Sequence, residues 1–381
     1  MSEYQYYEFQ AIDRPLTENE MGQLRSCSTR ARITPTSFVN EYSWGNFKGD
    51  EDAWMEKYFD AFLYLANWGT RVFKLRLPAR LLDASTARAY CLGQSVFMHE
   101  KNGKIILTFM SEEEAGDDWV EGDGQLSSLI SVRSELARGD LRALYLGWLL
   151  CAQSGDLQDN EIEPPVPAGL AQLSASLEGL VEFLRIDTDL LDAAATASPP
   201  LVSLEPQPAE VRGWVAKLPA AEKDDLLTRC MTSNDGSLAT ELVQRLRRER
   251  EGDRGAGEAA ARRRTVAELL RAGEQTAAER KRIAAEKAAQ EKDRMERAAA
   301  RARTRHLDQL AGREPVLWQK VESLIATKQP KSYDQAMELL VDLRDLAARK
   351  DAAGFQRRVE ALRAAHARKP TLMERLHKLA L

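Results

Sequence analysis

Apolar and polar residues alternate along several short stretches near the start of the chain, as they do in β-strands. Tyr7 and Phe9 share one side of a predicted opening strand. Residues 71–77 alternate between apolar side chains on one side and the basic Lys74 and Arg76 on the other. This pattern predicts a half-buried strand whose second face is open.

A β-hairpin is predicted where two apolar stretches flank Asn102-Gly103. This dipeptide accepts the positive φ angles of a two-residue turn. Residues 33–42 predict a further strand, and Pro35 places it at a sheet edge or at a strand start.

Helical spacing is also present in this part of the chain. Large apolar residues recur every three or four positions over residues 51–67, which predicts an amphipathic helix. Thr17 and Glu20 have the spacing of a capping box and predict the start of an earlier helix. Together these elements indicate that residues 1–160 form an acidic α+β domain with a mixed or mainly antiparallel sheet.

The rest of the chain has the spacing and composition of helices. We expect a helical domain over residues 168–250, a long charged helix over residues 257–310 and a C-terminal helical domain over residues 314–381. The expected fold is therefore an α+β N-terminal domain, followed by an all-α region with a long charged helix and a C-terminal helical bundle.

Charges on the long helix repeat every seven residues, so they form lines along it. An acidic line runs beside a basic one, and the apolar seam is mostly alanine. Self-association through this helix should therefore be weak or absent. The candidate residues for binding a protein partner or nucleic acid are Arg280, Lys287, Arg294, Arg301, Arg303 and Arg305.

Three interpretations of the long helix stay open. It is a solvated strut held by ion pairs between neighbouring turns, a surface that docks onto a partner or onto the acidic N-terminal half, or a nucleic-acid-binding element. Residues 261–305 carry 14 basic and 7 acidic residues, which is enough positive charge to attract phosphate. However, no aromatic residues are interleaved with them for base stacking.

Composition and charge narrow the class of protein. The chain has 381 residues, of which 44% are hydrophobic and 30% charged, and this excludes a wholly disordered or collagen-like protein. Residues 1–210 carry 17 basic and 33 acidic residues, whereas residues 211–381 carry 37 and 26. Such an asymmetry suggests that the two halves meet different partners, or each other.

Compartment signals point to the cytoplasm. The four cysteines are far apart and form no Cys-x-x-Cys pair, which is typical of thiols in a reducing compartment. The N-terminus lacks the basic and apolar regions of a signal peptide. No apolar run approaches the roughly 18 residues of a membrane span, so we expect no membrane contact.

Signatures of catalysis and of cofactor binding are not found in the sequence. It contains no phosphate loop, dinucleotide-binding glycine pattern or nucleophile elbow, and its four histidines fit no metal-site spacing. The acidic run over residues 112–123 lacks the spacing of a calcium loop. Cys27 with His99 as nucleophile and base, and Lys74 with Arg76 as an anion site, are weaker alternatives. We predict no catalytic residue, no metal and no cofactor.

Two segments of the C-terminal half carry a resemblance. The first contains WVAKLP at residues 214–219, and the second contains HARKP at residues 366–370. Both resemble segments of uncharacterised bacterial proteins, some of which carry a SWIM-type zinc finger. The Cys-x-Cys and Cys-x-His ligands of that finger are absent here, so the resemblance implies no zinc site. It implies a bacterial source and a helical tail, and it supplies no activity.

Three hypotheses for function follow. The first is a non-enzymatic cytoplasmic scaffold, adaptor or regulatory protein that makes protein–protein contacts through its helical C-terminal half. The second is a nucleic-acid-binding protein that uses the basic helical half. The third is an enzyme with an unrecognised site in the N-terminal domain.

Overall fold

The structure of the chain is a computed structural model. It describes residues 3–112, 121–201, 207–232, 238–254 and 263–379. Contacts divide the chain into two compact units, residues 1–280 and 281–381. This boundary falls inside the predicted long helix, and the four domain limits expected from the sequence stay a prediction.

Within the described part of the first unit, seven strands form one antiparallel sheet. They are β1 (Gln5–Gln10), β2 (Arg32–Thr34), β3 (Ser37–Tyr42), β4 (Ala61–Ala66), β5 (Thr70–Pro78), β6 (Val96–Lys101) and β7 (Lys104–Glu112). Their order across the sheet is β2-β3-β1-β4-β5-β7-β6. Each neighbouring pair runs antiparallel.

Helices cover both faces of this sheet. The first eight described helices of this unit are α1 (Glu18–Cys27), α2 (Glu51–Lys57), α3 (Ala84–Arg88), α4 (Gln125–Leu129), α5 (Ser131–Ala137), α6 (Arg142–Gln153), α7 (Ala175–Leu184) and α8 (Thr188–Ala195). One face packs with α4 to α8 around buried residues such as Phe73 and Trp148. The other packs with α1 and α2 around Phe9, Phe62 and Trp54.

The remaining described elements are helical. They are α9 (Pro208–Lys217), α10 (Ala220–Thr232), α11 (Leu238–Arg254), α12 (Val266–Leu310), α13 (Glu314–Ala326), α14 (Pro330–Ala347), α15 (Ala352–His366) and α16 (Pro370–Lys378). In the second unit, the last four helices and the end of α12 surround a core that contains Val321, Ile325 and Leu340. No helix in the described ranges combines the length and apolar character needed to cross a membrane. The predicted fold class, an α+β domain followed by an all-α region with a long helix, is confirmed.

The predicted helix over residues 51–67 is wrong in its second half. The chain is helical only in α2 and then forms β4, which pairs with β1 and β5. Nearly every residue of β4 is buried, because the sheet is covered on both faces. A strand buried on both faces shows no alternation, so its apolar run was compatible with helical spacing.

Two local predictions meet different outcomes. The strand predicted over residues 33–42 is present over Ser37–Tyr42 as β3, but it is not continuous, because Pro35 and Thr36 form a turn between β2 and β3. The hairpin turn is confirmed: Asn102 and Gly103 have φ angles of 52° and 71° between β6 and β7. The capping box at Thr17 is also present.

The expectation that Lys74 and Arg76 lie on an open sheet face is wrong, because both are buried. The Nε and Nη2 atoms of Arg76 donate to Asp60 Oδ1 at 3.1 and 2.6 Å. The Lys74 Nζ atom lies 2.7 Å from a carboxylate oxygen of Asp52. α1 and α2 cover this face, so its basic side chains are paired inside the protein.

Asp60 is the acidic centre of this buried cluster. Its Oδ2 atom accepts from the backbone amides of Ile12 and Asp13 at 2.7 and 2.9 Å. Burial raises the pKa of Asp60, but the Arg76 charge and the two amides outweigh that effect, so the pKa lies below its usual value. The cluster therefore links β5 to the chain that follows β1.

We expect Asp60→Ala to lower the free energy of unfolding by about 3–5 kcal/mol, because it leaves the buried Arg76 guanidinium without its carboxylate. The matched control is Glu56→Ala, which breaks a more exposed pair with Lys101 and should cost at most about 1 kcal/mol. Urea unfolding followed by tryptophan fluorescence measures both. Equal losses in the two variants would contradict the structural role of the Asp60 pair.

Candidate interaction surfaces

The long helix α12 starts inside the first unit. The buried carboxylate of Glu163 pairs there with Arg264, two residues before the helix begins. Arg264 donates from Nε and Nη2 to the two carboxylate oxygens of Glu163 at 2.8 and 2.7 Å. The hydroxyl of Tyr145 donates to the same carboxylate. Glu163 is almost wholly buried, and Val266 and Leu269 enter the main core directly afterwards. The first turns of α12 are thus part of this unit.

Arg280, the first residue of the predicted basic line, also holds α12 in the first unit. Its Nη2 atom lies 2.6 Å from Asp189 Oδ2, and its Nη1 atom donates to the Thr188 hydroxyl at 3.2 Å. Asp189 is buried at the start of α8. About two turns earlier on α12, Gly273 packs on Leu190, whose Cα atom would lie 3.2 Å from an added Cβ atom. This face of α12 is occupied by α8.

The middle of α12 has no such packing. Every residue from Lys281 to Ala302 is exposed, and we call this segment the exposed stretch. Ion pairs between neighbouring turns run along it. They join Arg282 to Glu286 at 2.6 Å, Glu291 to Arg294 at 2.7 Å, Lys292 to Glu296 at 3.9 Å and Asp293 to Arg297 at 2.9 Å. Each such pair adds about 0.2–0.5 kcal/mol to a solvated helix.

The other predicted cations on the exposed stretch and just beyond it fall into two groups: those paired with a carboxylate and those without one. Arg294 is neutralised by Glu291. In the described ranges, no carboxylate lies within ion-pair distance of Lys287, Arg301 or Arg305. The nearest polar contact of Arg305 is the carbonyl of Arg301, at 3.4 Å. These three cations are the members of the predicted site that remain able to meet an anionic partner.

Arg303 has a role inside the second unit. It pairs with Asp342 and, at 2.6 Å, with Asp345 on α14. His306 Nε2 lies 2.9 Å from the same Asp342 carboxylate, and Leu307 is buried in the core. Burial raises the pKa of Asp345, but the Arg303 guanidinium outweighs that effect and lowers it. Arg303 therefore fixes the end of α12 to α14.

Sequence reasoning missed an apolar groove formed by α9, α10 and α11. Its volume is about 550 Å³, and its lining is almost wholly apolar. It is lined by Trp214, Val215, Leu218, Leu226, Leu227 and Leu242. The amphipathic spacing of these helices was visible in the sequence, but spacing alone does not tell whether an apolar face has a neighbour.

The three helices around the groove are held by side chains on their polar edges. Trp214 Nε1 donates to Glu249 at 2.6 Å, which joins α9 to α11. Arg229 lies 3.1 Å from Glu241, which joins α10 to α11. The buried amide of Gln244 on α11 donates to the carbonyl of Leu81, at 2.6 Å. The groove is thus a defined surface, attached to the N-terminal domain through α11.

The weaker alternatives, a Cys27–His99 pair and a metal site in the acidic run, gain no support from the side-chain geometry of the described residues. In the part of the chain that is described, no group of three or more His, Cys, Asp or Glu residues could hold a metal ion. His99 lies 3.6 Å from Glu56. Burial raises the pKa of both Cys91 and Cys151 to about 12, so these thiols stay protonated. Most of the acidic run, residues 113–120, lies outside the described residues. An enzyme site in the N-terminal domain stays a prediction.

Comparisons with known proteins find no matching family model, no matching curated protein and no matching solved structure. The resemblance to uncharacterised bacterial proteins therefore stays a prediction.

We expect the exposed stretch to exchange its amide hydrogens at least about tenfold faster than residues 268–279, because it lacks tertiary contacts that oppose local opening. Hydrogen–deuterium exchange read by mass spectrometry of the full chain measures both segments of one helix, so residues 268–279 are the internal control. Equal protection along α12 would mean that something covers the exposed stretch.

Arg303→Gln should lower the unfolding free energy of the second unit by about 1 kcal/mol, because the pair with Asp342 is partly screened by solvent. Arg301→Gln, two residues away and without a carboxylate, should change it by less than about 0.5 kcal/mol. Thermal unfolding followed by circular dichroism compares them. A larger loss with Arg301→Gln than with Arg303→Gln would contradict the role of Arg303 in fixing α12 to α14.

Proposed function

We propose that this chain is a non-enzymatic cytoplasmic adaptor that acts through protein–protein contacts of its helical C-terminal half. The observation that carries the proposal is the α9–α11 groove. α9 and α10 have 10 and 13 residues and bury none of them. Isolated helices below about 12–15 residues are marginal in water, and most helices are stabilised by burial of an apolar face. Both helices therefore have an apolar face that a partner would cover.

Helix α10, which forms one wall of the groove, exposes side chains that are usually buried. Leu227, which lines the groove, is 62% exposed, and Met231, one turn further along α10, is 87% exposed. Contiguous apolar surface of this kind marks interaction sites in soluble proteins. Methionine also adapts its shape to different partners, since it is unbranched and flexible. These properties favour a protein partner that contributes an apolar helix or loop to the groove.

The exposed stretch of α12 supports the same proposal. It presents Ile283 and Met295, which are 40% and 63% exposed, and the exposed cations Lys287 and Arg301 lie on the same segment. A partner with apolar and acidic side chains at helical spacing would pair with both kinds of residue. A second copy of the chain is a poorer match, because the seam through Ala288 and Ala302 buries little apolar area.

Nucleic acid is the second candidate partner, favoured by the three cations that lack a carboxylate. If phosphates bind Lys287, Arg301 and Arg305, the affinity for a labelled duplex should fall steeply with salt. The charge reversal Arg301→Glu with Arg305→Glu should then abolish binding. Anisotropy at several salt concentrations measures this, and affinity that does not depend on salt would remove the candidate.

We expect Leu227→Asp with Met231→Asp to abolish capture of the adaptor's partner, while stability changes by less than about 0.5 kcal/mol because both side chains are exposed. The measurement is affinity purification of the tagged full chain from source cells after cross-linking, with quantitative mass spectrometry. The supporting result is a protein enriched by the wild-type chain and lost with the double variant.

The matched control is Leu92→Asp, since Leu92 is 52% exposed on the N-terminal domain. It should retain the captured protein. Retention of the same proteins by the groove variant, or no specific enrichment with the wild-type chain, would count against the proposal.

A further inference from the structure

A second concave surface lies within the second unit, between α13, α14 and α15. This cleft has a volume of about 520 Å³, within the size range of ligand-binding pockets. Its floor is formed by Trp318, Leu343 and Phe355, and its rim carries Glu314, Lys350, Asp351, Arg357 and Arg358. We call it the α13–α15 cleft.

The two acidic residues of the rim are engaged by the backbone. Asp351 Oδ1 accepts from the amide of Gly354 at 2.8 Å and caps the start of α15. Hydrogen bonds from the backbone amides of Glu314 and Gly312 lower the pKa of the Glu314 carboxyl, and the charge of Lys350 lowers it further. Each carboxylate is thus committed to a helix start and is only partly available to the cations.

The three cations of the rim form no ion pair with a described carboxylate. In the described residues of the second unit, no carboxylate lies within ion-pair distance of Lys350, Arg357 or Arg358. Arg358 instead lies over the Trp318 ring, with 5.4 Å between its guanidinium carbon and the ring centroid. The cleft therefore combines an apolar floor with a positive rim, and the whole second unit carries 23 basic and 14 acidic residues.

We propose that the α13–α15 cleft binds an acidic peptide segment of a partner protein. An apolar side chain of the peptide packs over the edges of Trp318 and Phe355, while flanking carboxylates meet Lys350 and Arg357. Positive rim charges complement this ligand and speed its approach. The inference rests on the proposed role as an adaptor, but it concerns a surface other than the α9–α11 groove.

The floor favours a peptide over a nucleic acid. Single-stranded nucleic acids bind by stacking bases on exposed aromatic faces. Trp318 and Phe355 are only 8% and 7% exposed, and Arg358 covers the Trp318 ring. Only the edges of these two rings are open to a ligand. An aliphatic or aromatic side chain can pack against a ring edge, whereas a stacked base needs an open ring face.

The test uses the full chain and a dye-labelled acidic peptide with one central Trp flanked by Glu and Asp residues, followed by fluorescence anisotropy. We expect saturable binding that weakens with salt. Lys350→Glu with Arg357→Glu should raise Kd by at least about tenfold. The same peptide with Ala in place of Trp should also bind at least about tenfold more weakly, because it lacks the apolar anchor.

Control variants separate this cleft from other surfaces. Arg368→Glu reverses an exposed charge in the turn after α15, outside the cleft, and should leave Kd unchanged. Leu227→Asp should also leave it unchanged, so a failure here is distinguishable from a failure of the α9–α11 groove. If circular dichroism shows that the double Glu variant is unfolded, Lys350→Gln with Arg357→Gln should still raise Kd several-fold.

Two results would overturn the inference. One is the absence of saturable peptide binding at concentrations up to about 1 mM, because a Kd above that value is too weak for a specific interface. The other is binding of a single-stranded oligonucleotide as tightly as the peptide, with no loss when Trp is replaced by Ala. In that case the rim would be a general anion surface.

Discussion

The buried ion pair between Glu163 and Arg264 attaches the residues just before the long helix α12 to the core of the first unit, and the part of α12 that is exposed follows this attachment. A carboxylate without its cation would be strongly unfavourable at this depth, so Arg264 must stay beside it. Val266 and Leu269 then enter the core within the next turn and a half. The helix is consequently anchored at its first residues and is solvent-exposed from Lys281 to Ala302.

Buried carboxylates also decide which cations of the long helix remain available. Asp189 and Asp342 are both buried, and each draws an arginine from α12, Arg280 and Arg303 respectively. A buried charge needs a nearby partner, whereas an exposed one is solvated by water. The candidate cations of α12 are therefore divided into residues that attach the helix to its neighbours, Arg280 and Arg303, and residues such as Lys287 and Arg301 that face solvent.

Apolar side chains also fall into two groups, those that are buried in a core and those that are exposed on α9 and α10. The sheet and its helices bury most of their large side chains, as do the last four helices around Val321 and Leu340. α9 and α10 do not, and they leave Leu227 and Met231 in water. Since exposure of such residues weakens short helices, coverage by a partner would stabilise this segment. That contrast is the physical basis of the proposed adaptor role.

The sequence by itself determined the features that depend on neighbours a few positions apart. Asn102-Gly103 specifies its turn through its own φ angles. Thr17 and Glu20, which are three residues apart, cap the start of α1. The long helix α12 follows from a run of residues with high helix propensity.

Tertiary structure alone decided the features that depend on distant residues. β4 is a strand because β1 and β5 lie on either side of it. Arg264 meets a carboxylate 101 residues away, and Arg303 meets one 42 residues away. Whether an apolar or charged side chain is covered depends on which remote segment packs on it, and periodicity along one helix carries no information about that segment.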